Sequence, residues 1–293
     1  MTRTVVLTGA TGFLGSHLAR ALVQNCFTVH AYRRGTSDLR RITDLAPQIH
    51  WHQLPNDLEA AFRANPKPEA VIHCAALYGR NAESAAEMIR ANTLLPVELF
   101  ELAVKYSVPR FINTGTALPP DLDRYALSKH HAAVWLKQLA GPTHVLNLNV
   151  QHMYGPDANR SNFITAIFRQ CLAHTPSIDL TDGKQHRDFI FVEDVATAFV
   201  HLLKAPKIPS GEKSGFTSID VGSGDAIEVR GLVETIARLT NSRSRLNFGA
   251  VAYRPGEPML TQANIAPLKG LDWRPQVTLE DGLKRTLAAM QTG

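Results

Sequence analysis

Tyr125 and Lys129, in the stretch DLDRYALSKHH, are the side chains best suited by type and spacing to do chemistry. Four residues apart on a helix, they stand on one face, a turn from each other. A free phenol titrates near ~10 and is a poor acid–base group at neutral pH. A neighbouring ammonium favours the phenolate, so Lys129 is expected to lower the pKa of Tyr125 and to hold a cofactor hydroxyl. The spacing also arises by chance on amphipathic helices, so its meaning depends on what else the chain supplies. Gly9-Ala-Thr-Gly12-Phe-Leu-Gly15 supplies a phosphate cradle. Gly9 allows the tight turn, Gly12 lets the backbone approach a pyrophosphate, and Gly15 permits close helix packing. The phosphates then sit on the N-terminus of the following helix. Cofactor contacts are expected from Gly9, Thr11, Gly12, Phe13, Leu14 and Gly15. Arg33 and Arg34 end the stretch FTVHAYRR, where an acidic residue would take the ribose 2′-hydroxyl of NAD. A guanidinium there pairs with a 2′-phosphate, so NADP(H) is the expected cofactor and NAD(H) the alternative.

These groups need strands and helices in alternation. TVVLT is a short, apolar, β-branched run of the kind buried in a parallel sheet, and HLARALVQN repeats apolar residues at helical spacing. FTVHAY, QIHWHQL, AVIHCAALYG, RFINTGTAL and THVLNLNV read as the next strands. MIRANTLLPVELFELAVKY reads as one long amphipathic helix, and Asn56 or Asp57 as a cap for the short helix before it. Ala75 and Ala76 are small enough for a cofactor to lie against the backbone. His73 and Cys74 could suggest a metal, but no further ligand has suitable spacing, and none is expected. APKIPSGEKSG reads as a surface loop.

A formal charge of +5, from 31 basic and 26 acidic residues, is scattered without a block of like charges, which argues against nucleic acid as a partner. Cys26, Cys74 and Cys171 stand far apart and read as small buried residues of a reducing compartment. The first residues enter a strand at once, and no apolar run approaches the ~18 residues of a membrane span. A cytoplasmic protein with no membrane partner is expected.

The G-x-x-G-x-x-G turn, Tyr125/Lys129, the NTGT strand end, HRDFIFVEDVA and YRPGE together resemble the extended short-chain dehydrogenase/reductases, the NAD(P)-dependent nucleotide-sugar epimerase/dehydratase family. The resemblance implies an α/β fold: a Rossmann-type doubly wound parallel sheet with a smaller C-terminal substrate-binding lobe. It implies a nucleotide-binding domain over residues 1–150 that is rejoined by 187–222, and a lobe of residues 151–186 and 223–293. By the same resemblance Thr114 lines the nicotinamide, Thr116 faces the substrate carbonyl, and Asn92 is structural. Tyr78, Tyr154, Asn162 and Phe163 are implied at a nucleotide-sugar substrate, with Arg187 and Arg254 on its diphosphate. A homodimer through the helices 92–106 and 125–140 is implied as well. Relatives carry Arg, Pro and Asn where this chain has Asn149, Val150 and His152.

Departures from the family pattern narrow the expected reaction. Ala117-Leu118 replace the Asp-Glu pair of 4,6-dehydratases. The cysteine and histidine of epimerase-reductases are missing, and an acidic second-strand end typical of 4-epimerases is absent. The remaining resemblance is to CDP-abequose-synthase-like 4-keto-6-deoxysugar reductases. That implies NADPH-dependent reduction at C4, with Thr116, Tyr125 and Lys129 catalytic. A 4-epimerase with bound NAD and a non-catalytic NADP-sensing regulator are the alternatives.

Overall fold

Apolar β-branched runs followed by glycine turns produce strands that lead into helices, and the first 150 residues repeat that unit. A computed structural model describes residues 3–65, 67–206 and 215–292. In chain order it forms β1 (Arg3–Thr8), α1 (Phe13–Gln24), β2 (Phe27–Arg34), β3 (Ile49–Leu54), α2 (Ala60–Ala64) and β4 (Ala70–His73). There follow α3 (Ala85–Ile89), α4 (Leu95–Lys105), β5 (Arg110–Thr114), α5 (Arg124–Leu139) and β6 (His144–Val150). The second half adds β7 (His152–Tyr154), α6 (Phe163–Leu172), β8 (Ser177–Leu180), β9 (His186–Phe191), α7 (Val192–Lys204) and β10 (Phe216–Val221). It ends with β11 (Ala226–Glu228), α8 (Val229–Leu239), β12 (Arg245–Phe248), β13 (Leu260–Thr261), α9 (Ala266–Lys269) and α10 (Leu279–Thr292).

Two compact units divide these elements. Unit 1 holds residues Met1–Val150, Ala196–Asp220 and Ala266–Trp273. Its seven-stranded sheet has the order β10-β6-β5-β4-β1-β2-β3. The pairings from β6 to β3 are parallel, with Val5 opposite Val29 on one side and Ala70 on the other. The order reverses between β1 and β4, the switch point outside which doubly wound sheets bind ligands. Val6, Phe62, Val71, Leu99, Phe100, Phe111, Leu136 and Val145 form a core between sheet and helices. The α/β Rossmann class expected from the sequence is what the chain adopts.

Unit 2 holds Gln151–Val195, Val221–Ile265 and Arg274–Gly293. In it β9 pairs with β7, β11 and β13, and β8 pairs with β12. Phe168, Phe189, Phe191, Leu232, Ile236 and Leu283 centre its core. Buried Asp188 ties its loops, accepting from the amides of Ser223 at 2.7 Å, Gly224 at 2.9 Å and Ala263 at 3.1 Å. The expected boundaries need correction here. Because β9 finds all its partners within unit 2, the chain re-enters unit 1 at 196 and not at 187, and residues 266–273 belong to unit 1 as well.

The expected long helix is also interrupted. Arg90–Leu94 form a π turn between α3 and α4, which re-aims Asn92 inward. Ahead of α2, Asp57 Oδ1 accepts from the Glu59 amide at 3.1 Å, but Glu59 occupies the N-cap. Of the loop expected over 205–215, residues 207–214 lie outside the described residues. Among the described residues no helix is long and apolar enough to cross a membrane, and no group of His, Cys, Asp or Glu could hold a metal ion.

Candidate active site

The glycine turn is built as its spacing requires. Gly9 has φ +75°, and a Cβ there would lie 2.6 Å from the Ala75 amide nitrogen, so β1 can pass the exit of β4 only with glycine. At Gly15 a Cβ would sit 1.9 Å from the Gly9 carbonyl oxygen, which brings α1 directly onto the turn. The Gly12 amide donates to that carbonyl at 2.9 Å, and no side chain caps α1. The first amides of α1 are thereby left for an anion. Thr11, Gly12 and Phe13 are half-buried at this mouth, while Leu14 is buried and holds the helix down. Loop and helix fit a dinucleotide pyrophosphate.

At the end of β2, Tyr32 is buried and its hydroxyl donates to the Leu58 carbonyl. Arg33 is half-buried with its guanidinium 5.3 Å from the Trp51 ring centroid, and Arg34 is exposed. Both guanidinium groups therefore stand at the strand end, with no carboxylate between Tyr32 and Ser37.

The switch point gathers the reactive groups. The Thr8 hydroxyl accepts from the Cys74 and Ala75 amides, both at 3.3 Å, and meets His73 Nδ1 at 2.9 Å. With its oxygen taken by two amides, the hydroxyl proton goes to Nδ1, and the ring proton sits on Nε2, which is buried without a partner. Burial, then the Lys129 ammonium, holds His73 neutral, far below its ordinary pKa. Thr114 donates to Cys74 Sγ at 3.2 Å, and burial pushes that thiol up to about 11. Ala75 and Ala76, next along the loop, are half-buried.

From the other side α5 presents Tyr125 and Lys129. Asp123 caps it, accepting from the Ala126 amide at 2.8 Å. Lys129 is 2% exposed, and its ammonium donates to no group among the described residues. Burial lowers its pKa to about 8. Such a donor is suited to the hydroxyls of a ribose. The expected depression of Tyr125 is not what the structure has. Burial first, then the neighbouring Tyr78, raises its pKa well above the ordinary value, and the Lys129 charge bears instead on His73 and Cys74. Tyr125 is thus held as a protonated phenol. Its ring stacks on Tyr78, with centroids 4.8 Å apart.

Thr116 is buried, and its Oγ accepts from the Leu118 amide at 3.2 Å, leaving its hydroxyl proton to donate. His130 of α5 bonds the Leu118 carbonyl at 2.8 Å and so steadies the same loop. Under that loop runs a ladder that the sequence did not reveal. Asn113 donates to Asn147 at 2.7 Å, Asn147 to Asn149 at 2.9 Å, and Asn149 to Ser218 and Asp220 at 3.1 Å each. A Cβ on Gly115 would lie 2.9 Å from Asn147. Asn149, half-buried where the family pattern has arginine, therefore ties β6 to β10.

Unit 2 treats its expected ligand residues unequally. Arg187 is 4% exposed, donates to its neighbour's carbonyl at 2.8 Å and pairs with Glu257 of the YRPGE loop. Arg254 of that loop is exposed. Asn162 caps α6, accepting from Thr165 and donating to the Met153 carbonyl at 3.0 Å, while Phe163 is 40% exposed. Tyr154 corrects its expected role: it is 1% exposed, packs edge-on to Phe191 and donates to the Leu279 carbonyl at 3.2 Å. It is a core residue, because its YGP turn directs the ring inward. His152, singled out in the sequence as a departure but given no role there, has a buried Nδ1 without a partner, and its pKa is lowered by burial, then by Arg187, to about 4.

Residues 5–214 match the family described as the NAD dependent epimerase/dehydratase family. CDP-abequose synthase of Salmonella muenchen is 30% identical over 295 residues, covering 98% of this chain and 97% of that protein. MoeE5, solved in complex with UDP-glucuronic acid and NAD, is 25% identical with a TM-score of 0.79, covering 99% of both chains. UDP-glucose 4-epimerase from Thermotoga maritima, solved with UDP-glucose, shares the fold at a TM-score of 0.84 and 20% identity, again over 99% of both chains.

Proposed function

The chain belongs to the NAD dependent epimerase/dehydratase family, and from that premise we propose that it is an NADPH-dependent reductase of the C4 keto group of a nucleotide-linked 4-keto-6-deoxyhexose. The observation that carries this reading is Tyr125, which burial keeps a protonated phenol on α5, the helix whose His130 bonds the Leu118 carbonyl of the loop carrying the buried Thr116 hydroxyl. A bound nicotinamide supplies the hydride. Thr116 donates to the carbonyl and stabilises charge as it develops. Tyr125 gives its proton to the resulting alkoxide oxygen. Lys129 holds the ribose hydroxyls, and Thr114 and the small Ala75 and Ala76 leave room for the nicotinamide. Arg33 and Arg34 favour the 2′-phosphate of NADPH. Arg187 and Arg254 take the diphosphate, and Tyr78 and Phe163 border the substrate. Ala117-Leu118 supply no acid–base pair for dehydration.

The test is a purified enzyme with NADPH and a panel of nucleotide 4-keto-6-deoxyhexoses, following loss of the reduced nicotinamide. Turnover of one of them supports the reading. Failure with all, together with 4-epimerisation of an intact nucleotide hexose, refutes it. The 4-epimerase is the second reading: MoeE5 is solved with NAD, which makes NAD the rival cofactor, and NAD retained by this chain through purification would select it.

The same reading includes a cytoplasmic homodimer. Ile89, Leu94, Val104, Leu127, Val134 and Trp135 are exposed on α3, α5 and the turn and helix between, an apolar surface suited to a second copy. Sedimentation at the 32.2 kDa mass of one chain would refute the dimer.

A further inference from the structure

Arg33 is held in place without being neutralised. Arg20 and Arg63 of the same unit are held by carboxylates, those of Asp44 and Asp57. Arg33 makes no ion pair or hydrogen bond among the described residues, and its guanidinium lies instead over the Trp51 ring, 5.3 Å from the centroid. The parallel register of β2 and β3 sets Ala31 opposite Trp51 and Arg33 opposite Gln53, so Arg33 and Trp51 are diagonal neighbours on one face. Trp51 is half-buried, and its Nε1–H donates to the Ala46 carbonyl at 3.1 Å, which stops the ring from swinging. The backbone of Arg34 is fixed by a turn: its amide donates to Ser37 Oγ at 2.9 Å, and its carbonyl accepts from the Ser37 amide at 3.0 Å. Asp38, the next carboxylate along the chain, is engaged by Arg40, accepting from its amide at 2.9 Å and lying 3.2 Å from its guanidinium. Neither Arg33 nor Arg34 therefore has an anion paired to it among the described residues.

We propose that Trp51 is a positioning residue for cofactor choice, a shelf that holds Arg33 ready for the 2′-phosphate of NADPH. The proposal rests on the NADPH reading of Arg33 and Arg34 given above. A guanidinium lying on a ring uses its π face, while its five N–H donors point outward in its own plane and stay available to an anion. A carboxylate would hold the arginine as firmly, but it would cancel the charge and take the donors. Arg33 is thus ordered before the ligand arrives, and less rotamer freedom is lost when the phosphate binds. Trp51 acts only through Arg33. A packing role gives a different expectation, because an arginine stem also lies along an apolar ring simply to cover it. Loss of the ring would then cost stability and leave the choice between phosphorylated and unphosphorylated ribose unchanged.

The test is calorimetric titration with adenosine 2′,5′-bisphosphate and adenosine 5′-monophosphate, which differ only by the phosphate in question. Trp51→Leu should weaken the bisphosphate by about 3- to 10-fold, the worth of one partly buried cation–π contact, and leave the monophosphate unchanged. Trp51→Phe, which keeps an aromatic face, should retain most of the bisphosphate affinity. In an Arg33→Ala background, Trp51→Leu should have no further effect. Unchanged bisphosphate affinity in Trp51→Leu overturns the proposal. So does an equal loss for both ligands, or the same additional loss on top of Arg33→Ala. A measurement on the wild type guards against a variant that does not fold: the Trp51 Nε1–H resonance, assigned through its contact with Ala46. Bisphosphate should shift it and monophosphate should not. A resonance that ignores the bisphosphate, or moves equally with both, overturns the proposal. A wild type that binds the bisphosphate no tighter than the monophosphate refutes the NADPH reading and the proposal together, whereas a preference that survives intact in Trp51→Leu refutes the proposal alone.

Discussion

Lys129→Met should stabilise the cofactor-free protein while abolishing its function. Lys129 is buried with no partner for its ammonium among the described residues, and burial takes its pKa from 10.5 to about 8. At about 1.4 kcal/mol per tenfold, that corresponds to about 3 kcal/mol by which the charged lysine opposes folding. The sign follows from proton counts. Below pH 8 the lysine is charged in both states, and the folded protein bears the full penalty. Between pH 8 and 10.5 the folded state sheds its proton first, the unfolded chain binds more, and stability rises with pH. Methionine keeps the aliphatic stem and removes the charge. Urea denaturation of cofactor-free protein at pH 7 should therefore show the variant more stable by up to about 3 kcal/mol, with the gap closing toward pH 10.5. Adding NADPH should reverse the order, because the wild type gains binding energy that the variant cannot. A variant less stable than the wild type at pH 7, or a gap that ignores pH, would show that Lys129 has an internal partner and is not held open for a cofactor.

Gly15→Ala puts a methyl 1.9 Å from one backbone oxygen and 2.5 Å from a backbone carbon, neither of which can yield cheaply. A loss of at least about 3 kcal/mol in denaturant titration, with loss of NADPH binding, is expected. Arg33→Ala combined with Arg34→Ala should weaken NADPH binding by about tenfold or more while leaving NADH unchanged, since each charged hydrogen bond is worth about 1.5 kcal/mol. Fluorescence titration with both nucleotides reads the difference. Acid should unfold the edge of the sheet. Burial, then His50 and His52, lowers the His30 pKa to about 4 in a stack where His30 meets the His52 ring nitrogen at 3.0 Å. A histidine kept neutral when folded contributes stability above pH 6.5, lost as the pH falls toward 4 and the unfolded chain binds the extra proton. That loss should reach up to about 3 kcal/mol, and His30→Leu should flatten this part of the pH profile.

Much of unit 1 could be read from the chain because its signals are local. The Gly9 to Gly15 spacing and the β-branched runs carry their own reasons, and a helix of period 3.6 must bring Tyr125 and Lys129 to one face. What escaped depended on distant partners. The acidity of Tyr125 is set by Tyr78, 47 positions earlier, and by burial, neither of which spacing encodes. Tyr154 sits in a motif whose pattern does not say which way the ring turns. The boundary at 187 failed because β9 pairs with residues 37 to 74 positions away. The π turn at Asn92 lies inside a helical pattern that looks continuous. The pairing of Arg187 with Glu257 joins two recognisable motifs whose contact neither predicts.

The most direct measurement follows deuterium from the nicotinamide C4 of labelled NADPH into a nucleotide-linked 4-keto-6-deoxyhexose. The reductase reading predicts one deuterium at C4 of the product for each NADPH oxidised, in the wild type and not in Tyr125→Phe, whose NADPH affinity should be unchanged. Product without deuterium at C4, or C4 inversion of an intact nucleotide hexose on retained NAD, would contradict it.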